Sequence, residues 1–112
     1  MIRALKALFA TILVCMLYVT TVASLDRSLF TAAAELLRDP WGRATLADAY
    51  FGFTTFFVWV AYREQRLASK GMWLVLILLL GNIAMATYVL IQLFRLPEGA
   101  SVESLLLRPP RP

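Results

Sequence analysis

Residues 72–94, MWLVLILLLGNIAMATYVLIQLF, are the clearest apolar run in the chain. At about 1.5 Å of rise per residue they exceed a hydrocarbon layer of roughly 30 Å, so the run reads as one tilted membrane helix. Gly81-Asn82 inside it does not by itself imply a break, and Pro97, Glu98 and Gly99 close it. The whole chain has the same character: 112 residues, 61% hydrophobic, with a mean hydropathy of +0.73. A soluble domain is about 45–50% apolar, and a globule this small has too little interior to hide so many Leu, Val, Ile and Phe side chains.

Upstream lies DPWGRATLADAYFGFTTFFVWVAYREQR, residues 39–66. Asp39-Pro40-Trp41 is a helix-start signal, because Asp can cap free N–H groups and Pro at the first helical position loses no needed hydrogen bond. Residues 45–62 supply a second span. Trp41 at one end, Trp59 and Tyr62 at the other, and Trp73 at the start of the third span are the expected interface anchors. Arg63 and Arg66 suit the negative end of the helix dipole, and Lys70-Gly71 suits a turn before the third span.

Residues 26–38 are more polar. Leu29, Phe30, Ala33, Leu36 and Leu37 nevertheless recur at helical spacing opposite Thr31, Glu35 and Arg38, which predicts a short amphipathic helix over 28–38 lying in the interface. An ordinary polar connector is the alternative. Residues 5–25 form the first span. Their basic start at Arg3 and Lys6 and the small residues near Ser24 also fit a signal peptide, but the length is enough to cross a bilayer and an uncleaved span is the reading adopted. The fold class is therefore an all-α membrane protein forming a single membrane domain over 1–112. It has three transmembrane helices, an interfacial helix between the first and second, and a mobile tail over 97–112 containing a brief helical turn.

In that topology Arg3, Lys6, Arg63, Arg66 and Lys70 share one side and determine orientation, while six Arg lie on the other. The first set is packed more tightly against the span ends, which predicts a cytoplasmic N-terminus and an external C-terminus; the abundance of Arg over Lys points to a bacterial source, and so to the inner membrane. The net charge of +4 does not point to nucleic acid, since the cations sit in short clusters beside apolar runs. They suit anionic lipid instead.

Asp48 is the one acid inside a span. It lies on a stripe with Thr45, Gly52, Thr55, Trp59 and Tyr62, at alternating steps of three and four. An Asp at a helix centre costs about 2.5–3.5 kcal/mol, against roughly 0.3–0.6 returned by each of the Phe and Val residues nearby, so this span needs help from its neighbours. Antiparallel register places Asp48 level with Gln92, near Tyr88 and within reach of Arg95, and places Asn82 beside Thr54 or Thr55. Asp48, Asn82, Tyr88, Gln92 and Arg95 are thus the expected polar contacts between helices. A proton, ion or ligand role is the alternative for Asp48. The chain has no His and one Cys. It presents no nucleophile with a base, no metal-ligand cluster and no phosphate loop, so no catalysis, metal or cofactor is expected.

The segments DPW, then ATL with an acid nearby, then WVAYRE, together with LLLGNIAMATYVLIQLF, resemble an uncharacterised family of small three-span membrane proteins found in bacteria and, in longer forms, in plants. The resemblance covers residues 39–95 and implies the span pattern, with no activity attached. The expected function is a non-catalytic integral membrane protein, an accessory subunit contacting lipid and larger membrane partners, with homo-oligomers also compatible. The alternatives are an oligomeric transporter or channel using Asp48, and a quinone-, lipid- or pigment-binding component of a membrane enzyme.

Overall fold

The computed structural model describes residues 1–109, and among them the chain forms six helices and no strand. These are α1 (Ile2–Asp26), α2 (Leu29–Arg38), α3 (Pro40–Arg63), α4 (Leu67–Leu80), α5 (Asn82–Arg95) and α6 (Val102–Leu106). Only α1 and α3 are long and apolar enough to cross a membrane. Both leave their apolar surface outward: α1 has no buried residue, and α3 buries only Gly42, Val60 and Arg63. A helix at the centre of a soluble protein would bury most of such a surface, so two long apolar helices of this exposure point to a membrane location.

The third span expected over 72–94 is not one helix. Gly81 breaks it, with φ 56° and ψ −125°, the values of the first central residue of a type II′ turn, which a side chain rarely tolerates. The chain then folds back on itself. The rings of Trp73 and Tyr88 lie 4.9 Å apart, whereas in a continuous helix these residues would be separated by about 22 Å. Ile77 and Ala84, on either side of the turn, join the same buried cluster. Thus α4 and α5 form a helical hairpin whose two ends both lie beside the end of α3, and whose tip reaches only the level of Tyr50 and Phe53. That tip lies about 20 Å along α3 from Arg63.

The tip is held by α3. A Cβ on Gly81 would sit 2.8 Å from Phe53 Cζ, so the glycine admits the Phe53 ring against the turn. A break also frees the last carbonyls of α4. One of them, Leu78 O, accepts from the Tyr50 hydroxyl at 3.3 Å.

The hairpin packs by its halves, α4 against α3 and α5 against α1. As the innermost helix, α5 buries Ala84, Ala86, Tyr88, Val89, Gln92 and Leu93. Val89 and Leu93 meet Ile2, Leu5 and Phe9 of α1 together with Leu105 of α6. Beyond these first turns α1 is open, with Val14, Leu17, Tyr18, Val19, Val22 and Leu25 all exposed.

At the opposite end, α2 occupies the stretch expected to be amphipathic. Ser28 caps it, its Oγ accepting from Thr31 N at 3.2 Å. Arg27 pairs with Asp26 and with Glu35, and these carboxylates, Asp26 first, hold its guanidinium above its ordinary pKa. α2 packs on the start of α3. Contact there is close enough that a Cβ on Gly42 would collide with Leu36 O. Asp39 precedes α3 in extended conformation without a side-chain cap; Pro40 supplies the fixed first turn, and Arg43 N bonds to Asp39 O at 2.9 Å.

The C-terminal segment also departs from expectation. Residues 97–109 are not a free tail, because α6 buries Leu105 against α5 and α1 and returns the chain beside the N-terminus. The remaining residues of the expected tail, 110–112, lie outside the described residues. Both described ends of the chain therefore share one end of the molecule, not two opposite ones as a third crossing would require.

Candidate functional site

The most developed polar arrangement lies at the base of the hairpin and centres on Arg63. The last turn of α3 carries this side chain inward, where it is 3% exposed. Its Nη2 donates to Gln92 Oε1 at 2.9 Å. Its Nη1 donates to the carbonyls of Leu105 and Leu107, the latter at 3.1 Å. Between them, Leu106 O accepts from the Trp59 indole N–H at 3.0 Å. Three successive carbonyls at the end of α6 are thus capped by two side chains one turn apart on α3, where the negative end of a helix favours a cation. Arg63 also lies 5.7 Å from the Trp59 ring centre, in cation–π range. Its Nε is buried and has no hydrogen-bond partner among the described residues.

Tyr88 adjoins this centre and joins the three helices of the cluster. Its ring meets Trp59, Trp73 and Phe56 edge-on at 5.6, 4.9 and 6.3 Å. Its hydroxyl donates to Glu64 Oε2 at 3.0 Å. Further out, Arg108 Nε donates to Tyr62 O at 2.5 Å, its guanidinium stands over the Tyr62 ring, and Gln65 Nε2 donates to Pro109 O at 2.8 Å.

The contacts expected of Asp48 are not formed. Gln92 and Tyr88 bind the opposite end of α3, because the hairpin returns them there, and Arg95 lies exposed at that same end. Asp48 is exposed, and among the described residues it makes no hydrogen bond or ion pair. Thr45, Asp48, Gly52 and Thr55 are exposed on the side of α3 away from Phe53, Phe57 and Val60, whereas Trp59 of the same stripe packs against Tyr88. Asn82 is the exposed first residue of α5, and Thr54 and Thr55 bond to their own helix, at Tyr50 O and Phe51 O, both at 2.9 Å.

The expected anchors divide. Trp41 and Tyr62 are exposed and Trp59 is half-buried, whereas Trp73, 8% exposed, is a core residue packed on Tyr88. The expected topology residues also divide. Arg66 is exposed and Lys70 half-buried at the start of α4; Arg3 and Lys6 line a hollow with residues 96–102, Lys6 standing 4.6 Å over the Phe94 ring; Arg63 is buried in the network. Among the described residues no three His, Cys, Asp or Glu side chains converge on a point that could hold a metal.

The sequence model of a family described as a protein of unknown function, DUF1475, matches residues 1–108. The chain belongs to this family. The match extends beyond residues 39–95 to include α1, α2 and α6, so every helix of the DUF1475 chain falls within it. No curated protein and no solved structure matches the chain. Reading this DUF1475 member as a sequence missed two features, the burial of Arg63 and the break at Gly81. A signal for the break was present: Gly-Asn is a turn-forming pair, and here Gly81 separates two helices of 14 residues each, Leu67–Leu80 and Asn82–Arg95, with the cations Arg66 and Arg95 at their outer ends.

Proposed function

We propose that the chain is a non-catalytic membrane protein, an accessory subunit that packs against a larger membrane partner through the outward face of α3. The observation that carries this reading is Asp48. It lies about 12 Å along α3 from Pro40, exposed and without a partner among the described residues, on a stripe with Thr45, Gly52 and Thr55. Facing lipid, an ionised Asp is costly. A partner helix bearing a donor or a cation removes that cost, and Gly52, where an added Cβ would meet nothing within 4 Å, leaves room for a close approach.

Charge supports an orientation for this subunit. Arg3, Lys6, Arg63, Arg66, Lys70, Arg95 and Arg108 gather at the end holding the hairpin base, against Glu64, Glu98 and Glu103. The α2 end carries only Arg27, Arg38 and Arg43, against Asp26, Glu35, Asp39 and Asp48. By the positive-inside rule the hairpin base and both described ends of the chain are cytoplasmic.

Purification in mild detergent followed by mass spectrometry tests the subunit reading: a larger membrane protein is expected at fixed stoichiometry. Recovery as a lone homo-oligomer that carries ions or protons into vesicles would replace it with the transporter reading. Orientation is tested in a Cys15→Ser background, where Arg3→Cys and Glu103→Cys should both react with an impermeant maleimide from the same side of the membrane.

A further inference from the structure

We propose that the hollow at the base of the hairpin, between the α3–α4 connection and the end of α5, binds a phosphate group. Arg63, Glu64, Arg66, Ser69 and Arg95 line it, and its volume is about 460 Å³. Three arginines line the hollow: Arg66 and Arg95 are exposed, and Arg63 is buried with its Nη atoms bonded to Gln92 and to the carbonyls of Leu105 and Leu107. None of the three makes an ion pair among the described residues, where both ion pairs belong to Arg27 at the other end of the molecule. The carboxylate present, Glu64, accepts from the neutral Tyr88 hydroxyl and offsets one of the three positive charges.

The electrostatics of the hollow are unbalanced in one direction. Arg63 is a buried cation whose partners among the described residues are all neutral, the Gln92 amide and two backbone carbonyls, and its Nε has none there. A buried charge in such surroundings is stabilised by a counter-ion. The start of α4 adds to the demand. Arg66 occupies the N-cap position without a side-chain cap, and the first turn contains no acid. The first helical bond is Lys70 N to Arg66 O at 3.1 Å, so the N–H groups of Leu67, Ala68 and Ser69 have no acceptor within the helix. Free N–H groups at a helix N-terminus, beside a hydroxyl and planar guanidinium forks, match the several oxygens and the charge of a phosphate.

The phosphate can come from an anionic phospholipid or from solution. The lipid source rests on the membrane reading, in which the hollow lies at headgroup depth beside Tyr62; the phosphate chemistry does not depend on it.

The test uses delipidated full-length protein in detergent, titrated with phosphatidylglycerol, phosphatidylcholine or inorganic phosphate and followed by tryptophan fluorescence or native mass spectrometry. Phosphatidylglycerol should bind, with phosphatidylcholine at least tenfold weaker. Arg66→Gln and Arg95→Gln, at exposed positions where folding is not at stake, should each weaken binding about tenfold, while Arg38→Gln at the far end changes it less than about twofold. Displacement by inorganic phosphate at millimolar concentration identifies a free-phosphate site. Displacement only by lipid identifies a headgroup site that fails if the membrane reading fails. Equal binding of the two lipids, equal losses in Arg38→Gln, or undiminished binding in the Arg66→Gln, Arg95→Gln double variant would overturn the proposal.

Discussion

The two ends of this molecule are built on opposite terms. At the hairpin base four helices and the C-terminal segment converge, and Arg63, Gln92, Tyr88, Glu64 and Trp59 spend their hydrogen bonds on one another or on backbone carbonyls. At the α2 end, α1 and α3 stand without the hairpin between them, Asp48 is unpaired among the described residues, and the apolar side chains of the last turns of α1 are exposed. The difference follows from hairpin length: α4 and α5, about 21 Å each, fill just over half of the roughly 36 Å that α1 and α3 provide. One end makes most of its polar contacts within the chain, the buried Arg63 Nε and the first N–H groups of α4 excepted. The other is complete only with something outside the chain, whether lipid, a partner or both.

The largest expected effect comes from breaking the hairpin base. Arg63→Met should cost about 3–5 kcal/mol, since it leaves the Gln92 amide oxygen and the carbonyls of Leu105 and Leu107 without donors. Denaturant-induced loss of helix and early proteolytic release of the C-terminal segment would register it; an unchanged C-terminal segment would mean that apolar contacts of Leu105 alone hold α6.

An intermediate effect is expected at the hairpin tip. Gly81→Ala should destabilise by about 1–3 kcal/mol, combining a side chain at φ 56° with a Cβ 2.8 Å from Phe53. Adding Phe53→Leu separates the two causes: it relieves the collision but not the backbone strain, so recovery in thermal unfolding should be partial. Full recovery would show that the turn itself carries no strain.

The smallest effect belongs to the open end. Asp48→Asn should change the stability of the isolated chain by less than about 0.5 kcal/mol, because no contact within the chain is lost. The same variant should lose the co-purifying partner. A large loss of intrinsic stability would show that Asp48 has an internal role and would erase the contrast between the ends.

Much of this was legible in the residues. The length and hydropathy of α1 and α3, the amphipathic face of α2, and the Pro40 helix start are local properties, and local properties are written in adjacent residues. The even division of basic residues in a three-span topology was itself a sign of trouble, since it weakened the orientation argument. Folding the third apolar run back moves Arg95 and Arg108 to the side of Arg63 and Arg66, and the charge asymmetry becomes clear.

Helicity, the length and hydropathy of α1 and α3, and the residues that start and flank them follow from adjacent residues alone. Tertiary structure decided whether 72–94 crosses or turns back, because Gly81 permits either conformation and the choice rests on distant partners: the Phe53 ring at the turn, the Tyr50 hydroxyl on Leu78 O and Trp73 against Tyr88. That one reversal reassigns every polar contact. Gln92 meets Arg63 instead of Asp48, and the acid that register had placed inside the bundle is left on its outer face.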